Sequence, residues 1–133
     1  MQVPPNCDLT LGIVCVDKSV PGLTTWAMVA DERFANPAGI IQGGFLAAFA
    51  DSAMGASAVT FAAAESRGRV SCANVEMKTS FVKPVAAGTA LTCVARVLSG
   101  GGRVVFCEAQ ITDGDERLVG TASSTYLIDA RAC

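Results

Sequence analysis

The chain has 133 residues, of which 51% are hydrophobic and 17% charged, and it carries a formal net charge of -2. That length suits one domain spanning 1–133, and the apolar excess points to an oligomer or to a sheet covered on both faces. A mild negative charge without a basic cluster argues against nucleic acid and against an anionic membrane surface.

Histidine is absent. This removes Ser-His-Asp and Cys-His catalysis, a histidine general base and His-ligated zinc. Six cysteines (Cys7, Cys15, Cys72, Cys93, Cys107 and Cys133) are widely spaced with no C-x-x-C pair. The opening residues MQVPPNCDLT lack a basic segment followed by an apolar one. Reduced, mostly buried thiols in a cytoplasmic protein are therefore expected, with no metal and no cofactor.

In chain order, residues 1–8 read as a poorly ordered lead-in. Residues 9–16 and 23–30 read as strands separated by a Pro21-Gly22 turn, the second ending at Asp31-Glu32-Arg33. A helix follows, and then a polar loop, ESRGR. Four β-rich segments at 70–82, 89–98, 103–112 and 118–128 are divided by Lys83-Pro84, a Ser-Gly-Gly-Gly break and Asp113-Gly114. Such breaks predict consecutive hairpins. In 89–98 one face holds Leu91, Cys93, Ala95 and Val97, while the other still carries Val94 and Leu98. Both faces of the sheet are thus expected to be covered, one by the helix and one by a partner. The order ββ-α-ββββ is an α+β arrangement: one antiparallel sheet of about five to six strands around one long helix.

The central stretch is NPAGIIQGGFLAAFADSAMGASAVTFAAAE, residues 36–65. Asn-Pro favours a turn, and paired glycines permit close backbone approach before a helix begins near Gly43. From Gly44 the run is rich in helix formers and apolar on nearly every face, as in a buried helix. Its alanines, glycines and serines, with a central acid, are too weakly hydrophobic for a membrane span. Between Arg33 and Glu65 the one charge is Asp51. A desolvated carboxylate is costly, so Asp51 either pairs structurally or does chemistry.

Three segments together resemble the hotdog-fold acyl-CoA thioesterases of the PaaI-like group, within the 4-hydroxybenzoyl-CoA thioesterase superfamily. Asn36, then Gln42-Gly43-Gly44, then Asp51 is similar to that family's N…HGG…D pattern. Asn74-Val-Glu-Met-Lys-Thr-Ser-Phe-Val-Lys-Pro84 is similar to its T-V-E-M-K-x-x-F-x-R-P strand, and Gly120-Thr-Ala-Ser-Ser-Thr-Tyr126 to its late strand. The resemblance covers roughly residues 9 to 128. It implies a hotdog fold, hydrolysis of an acyl-CoA thioester to acid and free CoA, and a dimer or dimer of dimers with active sites at subunit interfaces. Two positions depart from the pattern: Gln42 stands where the family has histidine, and Asn74 where it has Ser or Thr. An amide donates a hydrogen bond but cannot carry a proton.

On this reading Asp51 is general base or nucleophile, and Gly43 offers a helix-terminal N–H as oxyanion hole. Gln42 and Asn36 supply hydrogen bonds, although Asn36 before Pro37 equally suits an Asx turn. The resemblance implies that Asn74 comes from the neighbouring subunit and orients water. Gly44, with Lys83, Arg69 and Arg103 as phosphate-binding cations, completes the substrate contacts. Cys72 and Cys107 read as core thiols. A non-catalytic acyl-CoA-binding module is the alternative, and a hydratase is disfavoured for want of histidine.

Overall fold

The computed structural model describes residues 6–65 and 69–131. Its six strands are β1 (Val14–Val20), β2 (Leu23–Val29), β3 (Arg69–Phe81), β4 (Ala90–Gly100), β5 (Val104–Thr112) and β6 (Leu118–Arg131). They form one sheet in the order β1-β2-β4-β5-β6-β3, with every neighbouring pair antiparallel. Helix α2 (Gly43–Glu65) lies across it, starting where the sequence predicts. Period-2 alternation sets the inner face, with Leu91, Cys93 and Ala95 of β4 and Val105, Cys107, Ala109 and Ile111 of β5 all buried. Against them α2 buries Leu46, Phe49, Ala50, Ala53, Met54 and Ala58. The small residues let the helix sit close to the sheet.

Two expectations need correction. Residues 7–11 form a short helix, α1 (Cys7–Leu11), instead of lead-in and strand. The Asn6 side chain caps it by accepting the Leu9 N–H at 3.1 Å, and Gly12 closes it in the left-handed region at φ 74. Asp8 then accepts the Ser52 hydroxyl at 2.9 Å, tying α1 to α2. The second correction concerns β3, which does not form a hairpin with β4. It crosses to pair with β6 along its length, from Arg69 opposite Arg131 to Phe81 opposite Gly120. That crossing leaves β3 as a long edge strand.

By length and composition α2 is apolar enough to cross a bilayer, with a mean hydropathy of 1.4, contrary to the expectation that it is too weakly hydrophobic. Here its inner side is packed on the sheet. A polar cluster interrupts this core: Thr24 Oγ1 and Ser57 Oγ lie 2.8 Å apart, one hydroxyl donating to the other, with the Ala95 carbonyl 2.9 Å from Ser57 and the Ala53 carbonyl 3.1 Å from Thr24 as the acceptors for the remaining hydrogen. Each of these buried hydroxyls is satisfied. On the opposite side of the sheet Leu23, Val29, Leu98, Phe106 and Leu127 stay exposed.

Candidate active site

The loop before α2 is held by its own backbone. Asn36 Oδ1 accepts from the N–H groups of Ala38 (3.0 Å) and Ile40 (3.1 Å), and the Gly39 N–H bonds the Asn36 carbonyl, with Gly39 at φ 80. Asn36 is therefore the organiser of an Asx turn, and its side-chain oxygen is spent there. Bonds from Ile41 N to the Val85 carbonyl and from Gln42 N to the Phe34 carbonyl fix the approach to the helix. The Gln42 side chain is left exposed.

Gly43 is the first residue of α2, so its N–H has no acceptor within the helix and lies at the positive end of the dipole. A Cβ at Gly43 would meet Phe81 Cζ at 2.7 Å, so glycine allows the Phe81 ring to lie against the backbone. Gly44 faces open space.

Two turns further on, Asp51 meets the inner faces of β3 and β6. Asn74 Nδ2 donates to Asp51 Oδ1 at 2.8 Å and Tyr126 OH to the same oxygen at 2.6 Å. Tyr126 also lies 3.1 Å from the Asp51 carbonyl, and Asn74 Nδ2 lies 3.1 Å from Ser124 Oγ. Both donors grip Oδ1, and no hydrogen bond from the described residues reaches Oδ2. Asp51 as a residue is only half-buried. Asn74 Oδ1 is buried without a hydrogen-bond partner among the described residues. Burial and the neighbouring carboxylate push the Tyr126 hydroxyl well above the usual phenol range, which keeps it a donor.

Asn74 reaches Asp51 within one chain, in contrast to the neighbouring-subunit placement that the resemblance implies. Gly43 and Asp51 do not converge. Eight residues at about 1.5 Å each separate them by about 12 Å along the axis, while one reacting carbonyl must lie within ~3 Å of both groups.

The three cations divide as well. Lys83 Nζ is paired with Asp113 Oδ2 at 2.6 Å, and it lines a cleft of about 350 Å³ with Gly43, Phe81 and Pro84. Arg69 opens β3 at the other end of that strand. Arg103 lines a separate cleft with Ser71, Cys72 and Leu127. They form no single cluster in one chain. Burial pushes the Cys93 thiol up to about 12, and burial and Cys72 together push Cys107 up to about 12. Burial and Asp51 raise Cys72 too, so these sulfurs stay protonated and poorly nucleophilic.

Tyr126 is the site residue that sequence reasoning passed over as an unassigned part of the late strand motif. Its signal is a phenol on the inward register of an apolar strand, where a buried hydroxyl needs a partner.

A profile of the thioesterase superfamily matches residues 38–120, a span that includes Gln42, Gly43, Asp51 and Asn74. A comparison with curated proteins finds no match. Among solved structures, the PaaI protein from the Escherichia coli phenylacetic acid degradation operon superposes with a TM-score of 0.85 at 20% identity, over 95% of this chain and 86% of that one. A putative thioesterase, a phenylacetic acid degradation-related protein from Ralstonia eutropha JMP134, is 29% identical with a TM-score of 0.78, over 93% and 92%. A hypothetical thioesterase with coenzyme A from Streptococcus pneumoniae gives 0.80 at 16%, over 91% and 88%. The matched profile and the shared sheet-and-helix architecture lead to one conclusion: this chain has the hotdog fold and belongs to the thioesterase superfamily.

Proposed function

We propose that the protein hydrolyses acyl-CoA thioesters with Asp51 as the reactive carboxylate and the Gly43 N–H as oxyanion hole. The observation that carries this reading is the one-sided tethering of Asp51. Asn74 and Tyr126 hold Oδ1, and Oδ2 is left to act. Oδ2 either removes a proton from water or adds to the thioester carbonyl itself. Along the water route, hydroxide adds to the carbonyl carbon and the oxygen takes the negative charge. The Gly43 N–H and the helix dipole stabilise that oxyanion. Collapse breaks the C–S bond, and the CoA thiolate leaves and takes up a proton. Asn74 holds the carboxylate in place through Nδ2, and the Gln42 amide donates to the carbonyl where family members use histidine.

The separation of about 12 Å between Gly43 and Asp51 supports a site completed by two chains, Gly43 from one and Asp51 from the other. The long β3 edge, with Val75 and Phe81 more than half exposed, is suited to such pairing. The active form is then a homo-oligomer, a dimer or dimer of dimers, and the outer-face Leu98 and Phe106 suit a second contact. Lys83, Arg69 and Arg103 are proposed to meet the coenzyme's phosphates from different chains.

Free-thiol release from a panel of aryl-, short- and medium-chain acyl-CoAs tests the reading. Catalytic release of CoA together with the free acid is expected. Saturable binding without release from any member would replace it with a ligand-holding module.

A further inference from the structure

Two clefts flank the start of α2, and their chemistry differs. One, of about 350 Å³, contains Gly43 and carries Lys83. The other, of about 610 Å³, lies between α1 and α2; Thr10 and Leu11 form one wall, and Gln42, Gly44, Phe45 and Ala48 form the other. No charged residue lines this second cleft among the described residues. Gln42 and Gly44 are the immediate neighbours of the Gly43 N–H, so a carbonyl held at that amide stands within a few bonds of the cleft.

Resting on the thioesterase reading above, we propose that the α1–α2 cleft receives the acyl group of the thioester and that α1 sets which acyl groups fit. The coenzyme side of the carbonyl then runs toward the cleft with the cation. The apolar wall is stiff: Phe45 stacks on Phe34 with ring centroids 4.3 Å apart and 13° between planes. The opposite wall is anchored, because Asp8 of α1 accepts the Ser52 hydroxyl. That arrangement also selects by charge. An uncharged lining stabilises no second carboxylate. The substrate class is therefore a neutral apolar acyl group, and acyl groups ending in a carboxylate are rejected.

The test is kcat/KM for acetyl-, butyryl-, octanoyl-, phenylacetyl- and succinyl-CoA with the full chain and with Ala48→Phe, which fills the cleft from α2. The wild type should prefer butyryl- to succinyl-CoA. Ala48→Phe should lose about tenfold or more on octanoyl- and phenylacetyl-CoA relative to its loss on acetyl-CoA, the scale of steric discrimination in apolar pockets. Thr10→Trp in the exposed α1 wall provides a second reading if Ala48→Phe fails to fold. Its indole emission should change on adding octanoyl-CoA and not on adding CoA alone. Equal losses across all chain lengths, or a succinyl preference, overturn the cleft assignment while turnover itself keeps the thioesterase reading. No turnover and no emission change with any thioester overturn both.

Discussion

Tyr126 OH donates to Asp51 Oδ1 at 2.6 Å across 75 residues of sequence, and the phenol is almost fully buried at 2% exposure. The bond fixes which carboxylate oxygen faces outward. Tyr126→Phe keeps the ring and removes the donor. It should lower kcat and leave KM within about twofold, since the loss falls on orientation of the reacting group rather than on ground-state binding. Steady-state kinetics on one acyl-CoA check this; a rise in KM at constant kcat would place Tyr126 in substrate binding instead.

The separation of Gly43 from Asp51 makes a prediction about mixed oligomers. Gly43→Val and Asp51→Asn should each be inactive alone. Co-refolded in equal amounts as two-site dimers, they should recover roughly a quarter of wild-type activity, because half of the pairs hold one intact composite site. No recovery from demonstrably mixed oligomers would mean that each chain carries a complete site.

Ser57 links α2 to β4 through the Ala95 carbonyl and to β2 through Thr24. Ser57→Ala removes the contact to that carbonyl and to Thr24, at a cost of about 1 kcal/mol. Urea unfolding of the two proteins measures it, and an unchanged midpoint would show the cluster to be energetically neutral.

The Lys83–Asp113 pair gives the fold an acid-sensitive element. The Lys83 ammonium, with the N–H groups of Arg117 and Asp115, holds the Asp113 carboxyl down at about 2, against 3.8 ordinarily. A depressed carboxyl stabilises the fold above its unfolded pKa, and the effect disappears as pH falls from about 4 through 2. The melting-temperature gap between wild type and Asp113→Asn should be constant above pH 5 and close below pH 4. A gap independent of pH would remove the carboxylate's charge from the explanation.

Much of this was legible locally. The Gly43 start of the helix follows from Gln42-Gly43-Gly44, and Asp51 stands out because it is the one charge in an apolar run. Turn residues marked most strand ends to within a few positions. What escaped depends on partners far away in sequence. Five residues of α1 carry little helical signal, and the helix is held in place by Ser52, which lies 44 residues from Asp8. Hairpin logic pairs β3 with its sequence neighbour β4, whereas the sheet pairs it with β6. Lys83 reads as a free cation until the fold brings Asp113 to it. Asn74 is close to Asp51 because β3 turns back beside the helix, which no local pattern records.

The central claim is that the carboxylate of Asp51 performs the chemistry. Thiol release by wild type and Asp51→Asn, each confirmed folded by its thermal transition, tests it most directly. Asn keeps the shape and the contact with Tyr126 while removing the base. The account predicts a fall in kcat of about 10²-fold or more. Turnover by Asp51→Asn within about twofold of wild type would contradict it and move the chemistry to another group.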